Sequence, residues 1–372
     1  MNNQYKNAVS SKIKRIFSST KGVERIIIAN SNSMDPNFRY LTNFSSGLFE
    51  GSFLIASKGH LKLLTSNLEY DTAVMQAHDA IEVIKITGRE QLIKELSSEV
   101  SGKAIGLNYS FIPYSIYSFI KKAAKPNTIT DAYPALLLAR LVKDEKEISY
   151  IRKAAAITKK AMASIEERFR EGITEEELAL EFDGLSASYG SSGPSFRTIV
   201  CFGQNAALPH HFPSKRRLGD KDEVLIDAGA TVNGYCSDIT RTFIERCRDS
   251  PKWERIKIMY DTVKEAQDSA IDKIKAGNTL SSPHIAAENM INSAEGGIFK
   301  GKFIHSLGHS VGIEVHDGGS LSPNSKGEME KNMIFTAEPG IYKRFWRGKN
   351  RGRHTNHAKR RSQIIRGVRL AW

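Results

Sequence analysis

Five side chains in the second half of this chain are of the types that hold divalent metal ions. Asp227 and Asp238 lie in VLIDAGATVNGYCSDITRTF, His309 and His316 in HSLGHSVGIEVHD, and Glu338 in FTAEPGIY. Hard cations take oxygen ligands with an occasional imidazole, so the set suits a pair of divalent ions. EVLIDAGA and YCSDITRTFI flank Val232-Asn233-Gly234, and Asn-Gly is the strongest short hairpin signal. Such a hairpin puts position 227 opposite about 240, with 238 a diagonal neighbour on the same face. Two carboxylates placed so repel unless a cation lies between them. The plainer reading of the pair is a solvated turn aspartate and a partner for Arg241. Gly308 and Gly312 give close backbone approach around His309, and His305 lies four residues upstream. GQNAALPHHFP adds His210 and His211, so five of the ten histidines fall in two short segments. Beyond Glu338, 34 residues contain no Asp or Glu at all.

The elements that must position these residues follow from periodicity. RIIIA (25–29), SFLIAS (52–57), LKLLTS (61–66) and IEVIKI (81–86) are short apolar runs that predict strands. Between the first two, SMDPNFRYLTNF carries an Asp-Pro turn signal. REQLIKELSSEV (89–100) has helical spacing. A boundary near Asp131–Lys143 leads into a long helix, EKEISYIRKAAAITKKAMASIEERF, whose Ile148, Ile151, Ala155, Thr158 and Met162 share a face. Thr174 with Glu177 forms a capping box for the next helix. After Gly190 come short strands and loops, then a helical stretch over 253–275 before the histidine-bearing segment.

Composition excludes some function classes. At 372 residues the chain is long enough for two domains. No apolar run approaches the roughly 20 residues needed to span a bilayer. The N-terminus MNNQYKNAVSSKIKRIF is basic but lacks the apolar core of a secretory signal. Cys201, Cys236 and Cys247 are odd in number and not in C-x-x-C spacing, which predicts buried free thiols in a reducing cytosol. The net charge of +13 is localised: 11 Lys or Arg and no acid fall in 343–372, leaving +2 for residues 1–342. Only the tail is basic enough to attract a nucleic acid.

SFRTIVCFGQNAALPHH, VLIDAGATVNGYCSDITRTF, HSLGHSVGIEVHD and FTAEPGIY together resemble the Xaa-Pro peptidases. These form the prolidase and aminopeptidase P branch of the pita-bread metallopeptidases. DPNFRYLTNF, LFEGSFLI and LLTSNLEYDTA resemble the creatinase-type N-terminal domain of that branch. The resemblance implies an α/β (α+β) fold: a creatinase/prolidase-like domain over 1–130 and a pita-bread catalytic domain over 131–343. A basic, aberrant tail over 344–372 then leaves the C-terminal strands lost or altered. By the same resemblance Asp227 chelates one metal, Asp238 bridges both, and His309 and Glu338 bind the other. His210 hydrogen-bonds the scissile region, His316 partners it at the tetrahedral intermediate, and His305 lines the proline pocket. Glu338 also carries the proton. The implied reaction is hydrolysis between an N-terminal residue and proline in short peptides, by a cytoplasmic homodimer with no membrane partner. Two divalent ions are implied, Mn²⁺ or Co²⁺ first, with Zn²⁺ and Fe²⁺ compatible with mixed O/N ligands. Dipeptidase and aminopeptidase action both stay open, because loops that limit substrate length separate them.

The chain departs from that branch after EPGIYK. The family continues roughly G-F-G-G-V-R-I-E-D, whose Glu is the second bridging ligand and whose Arg helps position substrate. Here the text is RFWRGKNRGRHTNHAKRRSQIIRGVRLAW. Four carboxylates become three, and two close cations lose a shared counter-charge. Asp238, His309 and Glu338 can still hold one ion. Loss of that strand predicts an exposed sheet edge beside the site, weak metal binding and little activity. Two other readings stand beside a peptidase: an inactive binding protein whose basic tail holds nucleic acid, and a creatinase-type hydrolase without metal. Back-translation offers a cause. Trp346 has the single codon TGG, so a frame displaced by one base gives Gly there. Lys349 then gives Lys or Arg, and Asn350 gives Ile or Thr. Suitable codons for Arg344–Arg353 yield G-F-G-G-V-R-I-E-D. The hypothesis is that the tail is an out-of-frame reading displaced near Lys343. Sequencing the coding DNA tests it: the expected result is V-R-I-E-D one base away, and its absence sinks the idea.

Overall fold

The computed structural model describes residues 2–77, 80–345, 361–366 and 369–371. It divides into two compact units, Met1–Leu141 and Val142–Trp372. The sequence-based boundary falls earlier, at 130/131, because an apolar helix reads the same on either side of a junction. Helix Tyr133–Leu141 groups with the first unit. There Tyr40 donates to the Ala139 carbonyl at 2.8 Å, and Arg140, fully buried, donates to Asn37 Oδ1 at 3.1 Å.

The first unit is built on six strands: β1 (Arg25–Ala29), β2 (Phe53–Ser57), β3 (His60–Ser66), β4 (Ile81–Ile86), β5 (Ala104–Leu107) and β6 (Thr128–Asp131). Their order is β4-β3-β2-β1-β5-β6, with β1–β2 and β2–β3 antiparallel and the other pairs parallel. Helices Arg89–Val100 and Tyr114–Ala124 bury Leu96, Val100, Ile120 and Ala124 against Ile27, Leu64 and Ile105. The Asp-Pro pair does not make a simple turn. Asp35 caps helix Pro36–Thr42, accepting from the Asn37 N–H, with Pro36 at the first helical position where its missing N–H costs nothing.

The second unit starts with helix Glu145–Ser164, opened by a capping box between Asp144 and Glu147. It buries Ile148, Ile151, Ala154, Thr158 and Met162; Ala154 rather than Ala155 lies on the inner face. Helix Glu175–Ser188 opens with the Thr174/Glu177 capping box read from the sequence. Next come β7 (Ile199–Phe202), β8 (Val224–Ala228), β9 (Thr231–Val232), β10 (Tyr235–Cys236) and β11 (Ile239–Phe243). β9 and β10 form a hairpin turned by Asn233 and Gly234, both at positive φ as a type I′ turn requires. β7, β8 and β11 form an antiparallel sheet in which Thr240 stands opposite Asp227, as the hairpin reading expects. Helices Trp253–Ile271 and Ser282–Ser293 precede β12 (Gly308–His309), β13 (Ser320–Leu321), β14 (Phe335–Ala337) and β15 (Gly340–Phe345).

Two strands of the basic tail complete the unit, β16 (Arg361–Arg366) on β15 and β17 (Arg369–Ala371) on β14. The expected open edge beside the site is therefore paired. Ladder pairing is made by main-chain groups and asks for no particular side chain, so a segment stripped of acids can still supply it. The C-terminal strands are altered rather than lost. Residues 346–360, which include all but the first two positions of the shifted-frame reading over 344–353, lie outside the described residues.

One buried ion pair ties the start of this unit to its histidine segment. Lys143 Nζ lies 3.2 Å from Asp317 Oδ2 and donates to Ser310 Oγ at 2.8 Å, with both charged side chains almost fully buried. Removing one partner leaves an uncompensated buried charge. Lys143→Ala is expected to cost about 3–5 kcal/mol in urea unfolding, and Lys143→Met with Asp317→Asn distinctly less. Equal losses in the two variants would show that the pair is not coupled.

Candidate metal centre

Asp238, His309 and Glu338 each place one ligand atom within 4.8 Å of the other two. Asp238 arrives at the start of β11, His309 on β12, and Glu338 in the turn from β14 to β15. Asp238 and Glu338 are buried and His309 is half-buried. His309 Nε2 stands 3.4 Å from Asp238 Oδ2 and 3.2 Å from Glu338 Oε1.

Close main-chain approach makes this convergence possible. A Cβ on Gly308 would lie 2.2 Å from the Thr336 carbonyl oxygen, and one on Gly312 would lie 2.0 Å from Asp317 Oδ2. Neither position admits a side chain, which gives the two glycines flagged in the sequence their physical role. Thr336 then links the strands through its hydroxyl. It accepts from the His309 N–H and donates to Glu338 Oε1, each at 3.0 Å.

The donor set fits a divalent cation. His309 Nδ1 lies 3.2 Å from the Ser310 carbonyl, which only accepts, so the proton sits on Nδ1 and Nε2 is directed toward the carboxylates. Among the described residues, Asp238 Oδ1 is buried and has no hydrogen-bond partner. Two buried carboxylates beside one imidazole are a donor set whose charge a cation would balance. Asp227 lies outside this group of three. It is buried on β8, and Thr240 donates to its Oδ1 at 2.7 Å.

Of the remaining predicted residues, His316 touches a member of the centre. The exposed His316 ring packs on His309 with centroids 4.1 Å apart. His305 donates from Nδ1 to the Ser306 carbonyl at 2.7 Å and accepts at Nε2 from Tyr342 at 2.8 Å. Burial pushes the Tyr342 phenol well above its ordinary pKa, with the Asp227 charge and Cys201 acting the same way, so it stays protonated and donates. Phe303 and Tyr342 each meet the His305 ring edge to face, at 5.1 and 5.3 Å. His210 is exposed on a turn closed by the His211 N–H donating to the Leu208 carbonyl at 3.2 Å. Just before that turn, Ala206 and Ala207 pack with Leu225 of β8 and with Tyr342.

Sequence reasoning missed several supports. Thr336 lies two residues from Glu338 and Thr240 stands opposite Asp227 in the hairpin register, and a hydroxyl at those positions was the available signal. Tyr342 lies in the quoted FTAEPGIY segment. Lys143, Asp317 and Glu175 had no local signal, since their partners are distant in sequence.

Comparison with known proteins agrees with this geometry. Residues 149–370 match the model for metallopeptidase family M24, and residues 16–142 match the creatinase/prolidase N-terminal domain. The Xaa-Pro dipeptidase of Pyrococcus horikoshii is 33% identical over 336 residues, covering 90% of each chain. The crystal structure of the prolidase from Pyrococcus horikoshii superposes with a TM-score of 0.80 at 29% identity, over 97% of both chains. The Xaa-Pro dipeptidase from Bacillus anthracis gives 0.82 at 27% identity, over 98% of this chain and 97% of its own. Among the described residues no helix is long and apolar enough to cross a membrane. With a candidate metal-ligand triad on the fold of these enzymes and a family match over most of its length, the chain belongs to metallopeptidase family M24, with a creatinase/prolidase N-terminal domain.

Proposed function

We propose that this chain hydrolyses the bond between an N-terminal residue and a following proline, in short peptides, with divalent metal. The observation that carries the reading is the convergence of Asp238, His309 and Glu338 around an unpartnered carboxylate oxygen, in a chain of this family. Asp238, His309 and Glu338 would hold one ion, and Asp227 with Asp238 a second. When bound, the metal supplies Lewis acidity and neutralises charge that builds on the carbonyl oxygen. Mn²⁺ and Co²⁺ suit the mixed donors, as do Zn²⁺ and Fe²⁺.

The chain's own residues account for the rest of the cycle. Glu338 accepts the proton of the attacking water as the O–C bond forms, then delivers it to the proline nitrogen as the C–N bond breaks. His210 and His316 donate hydrogen bonds to the carbonyl oxygen. His305 has both ring nitrogens engaged and is flanked by Phe303 and Tyr342. That leaves a flat ring face suited to the proline ring. Proline lacks the amide N–H and has a fixed backbone, so recognition by ring packing suits it. A homodimer in the cytosol fits the family resemblance and the three buried free cysteines.

Nothing after Glu338 supplies another carboxylate. The ion at Asp238, His309 and Glu338 therefore binds more firmly than the one beside Asp227, and hydrolysis is slow. Metal analysis of the purified chain after dialysis against Mn²⁺ should find about one ion per chain, falling to near zero in His309→Ala. Xaa-Pro cleavage should require that metal. It should run on the order of 100-fold below a chain whose tail is restored to the G-F-G-G-V-R-I-E-D reading, a loss comparable to removing one support of a metal ligand. Two firmly bound ions would refute the incomplete-site reading. Absence of any bound metal and of any metal-dependent cleavage would refute the peptidase reading.

A further inference from the structure

Glu175 is one of the most heavily engaged side chains in the second unit, and the reaction described above gives it no role. It is fully buried at the first position of helix Glu175–Ser188, an end that favours negative charge. Its Oε1 accepts from the Phe202 N–H at 2.7 Å and from Asn205 Nδ2 at 2.9 Å. Its Oε2 accepts from the Ser214 N–H at 3.0 Å, from Ser214 Oγ at 2.6 Å and from His211 Nε2 at 2.8 Å. All five donors belong to one segment, residues 202–214, which leaves β7 at Phe202 and contains His210.

One carboxylate thus closes this loop at both ends and holds its middle. The neighbouring main chain reinforces the closure: the Glu175 N–H donates to the Arg216 carbonyl at 3.1 Å and the Glu176 N–H to the Ser214 carbonyl at 3.2 Å. His211 and His210 are adjacent and behave oppositely. His211 is drawn to the buried carboxylate, while His210 is exposed with Leu208 and Phe212. Holding His211 fixes the turn, and the turn decides where the His210 ring is presented. Exposed loops ordinarily sample several conformations. A histidine that must meet a developing charge gains most from being fixed beforehand.

We propose that Glu175 is a positioning residue for the peptidase reaction, acting through His211 and the loop main chain to preset His210. The proposal rests on the role given to His210 above. Glutamine in its place keeps one acceptor oxygen and leaves one set of donors without a partner, so the loop should loosen while the helix cap at Thr174 persists.

The test uses the full chain loaded with Mn²⁺. Glu175→Gln should lower kcat on an Xaa-Pro dipeptide about 10- to 100-fold, the range found when a residue supporting a reactive group is removed. KM should stay within about 2-fold, because the interaction acts in the transition state. In a His210→Ala background the same substitution should add no further loss. Hydrogen exchange at the Phe202 and Ser214 amides should quicken about 10-fold or more. His211→Gln, altering a partly exposed side chain, should give a smaller kcat loss in the same direction and serves if Glu175→Gln folds poorly. An equal loss in the His210→Ala background, or unchanged exchange at both amides, overturns the proposal. Full kcat in His210→Ala itself overturns the role of His210, whereas a normal His210→Ala loss beside an unaffected Glu175→Gln overturns only the positioning role.

Discussion

Repulsion between buried carboxylates is the constraint around which the second unit is arranged. Asp238 and Glu338 face one imidazole, His309. Left to themselves, like charges this close would push apart. The fold resists this with rigid, short connections. Gly308 lets its strand approach Thr336 to contact distance, Gly312 leaves room for the Asp317 carboxylate, threonine hydroxyls at 240 and 336 fix carboxylate oxygens, and the Lys143–Asp317 pair anchors the segment beside His309. Each device spends folding stability or conformational freedom on a cluster that only a cation makes favourable.

The same economy explains the basic tail. Strand pairing depends on main-chain groups, so Arg361–Arg366 and Arg369–Ala371 can complete the ladders on β15 and β14 without reproducing the chemistry of a ligand-bearing strand. Architecture and catalytic competence are separable here. A segment with 11 positive charges and no acid satisfies the first requirement and brings no carboxylate to the second. The parts before it carry four of the expected ligands and the whole N-terminal unit, while the family match itself runs on to residue 370.

Much of the fold was legible because its signals are local. The runs Ile26–Ile28 and Leu61–Leu64 announce buried strands, the Thr174/Glu177 box announces a helix start, and Asn233-Gly234 sets the register that puts Thr240 opposite Asp227. Asp35-Pro36 misled, since a turn and a helix start share the same local conformation and only packing of the next apolar residues decides between them. The domain junction was blurred for a similar reason: helix Tyr133–Leu141 takes its allegiance from Tyr40 and Asn37, far upstream.

The sequence by itself determined the ligand types, their order along the chain, the hairpin that brings Asp227 and Asp238 to one sheet, and the missing acid after Glu338. Those are properties of residue identity and near spacing, which side-chain chemistry and turn geometry express without help. Tertiary structure alone decided that Asp238, His309 and Glu338 form one group while Asp227 accepts a hydrogen bond from Thr240 outside it. It also decided that Tyr342 fixes His305, and that Glu175 reaches across 27 to 39 positions to grip both ends of the loop bearing His210. Contacts of that range have no sequence period. They exist only once burial makes an unmet hydrogen bond or charge costly enough to select the partner.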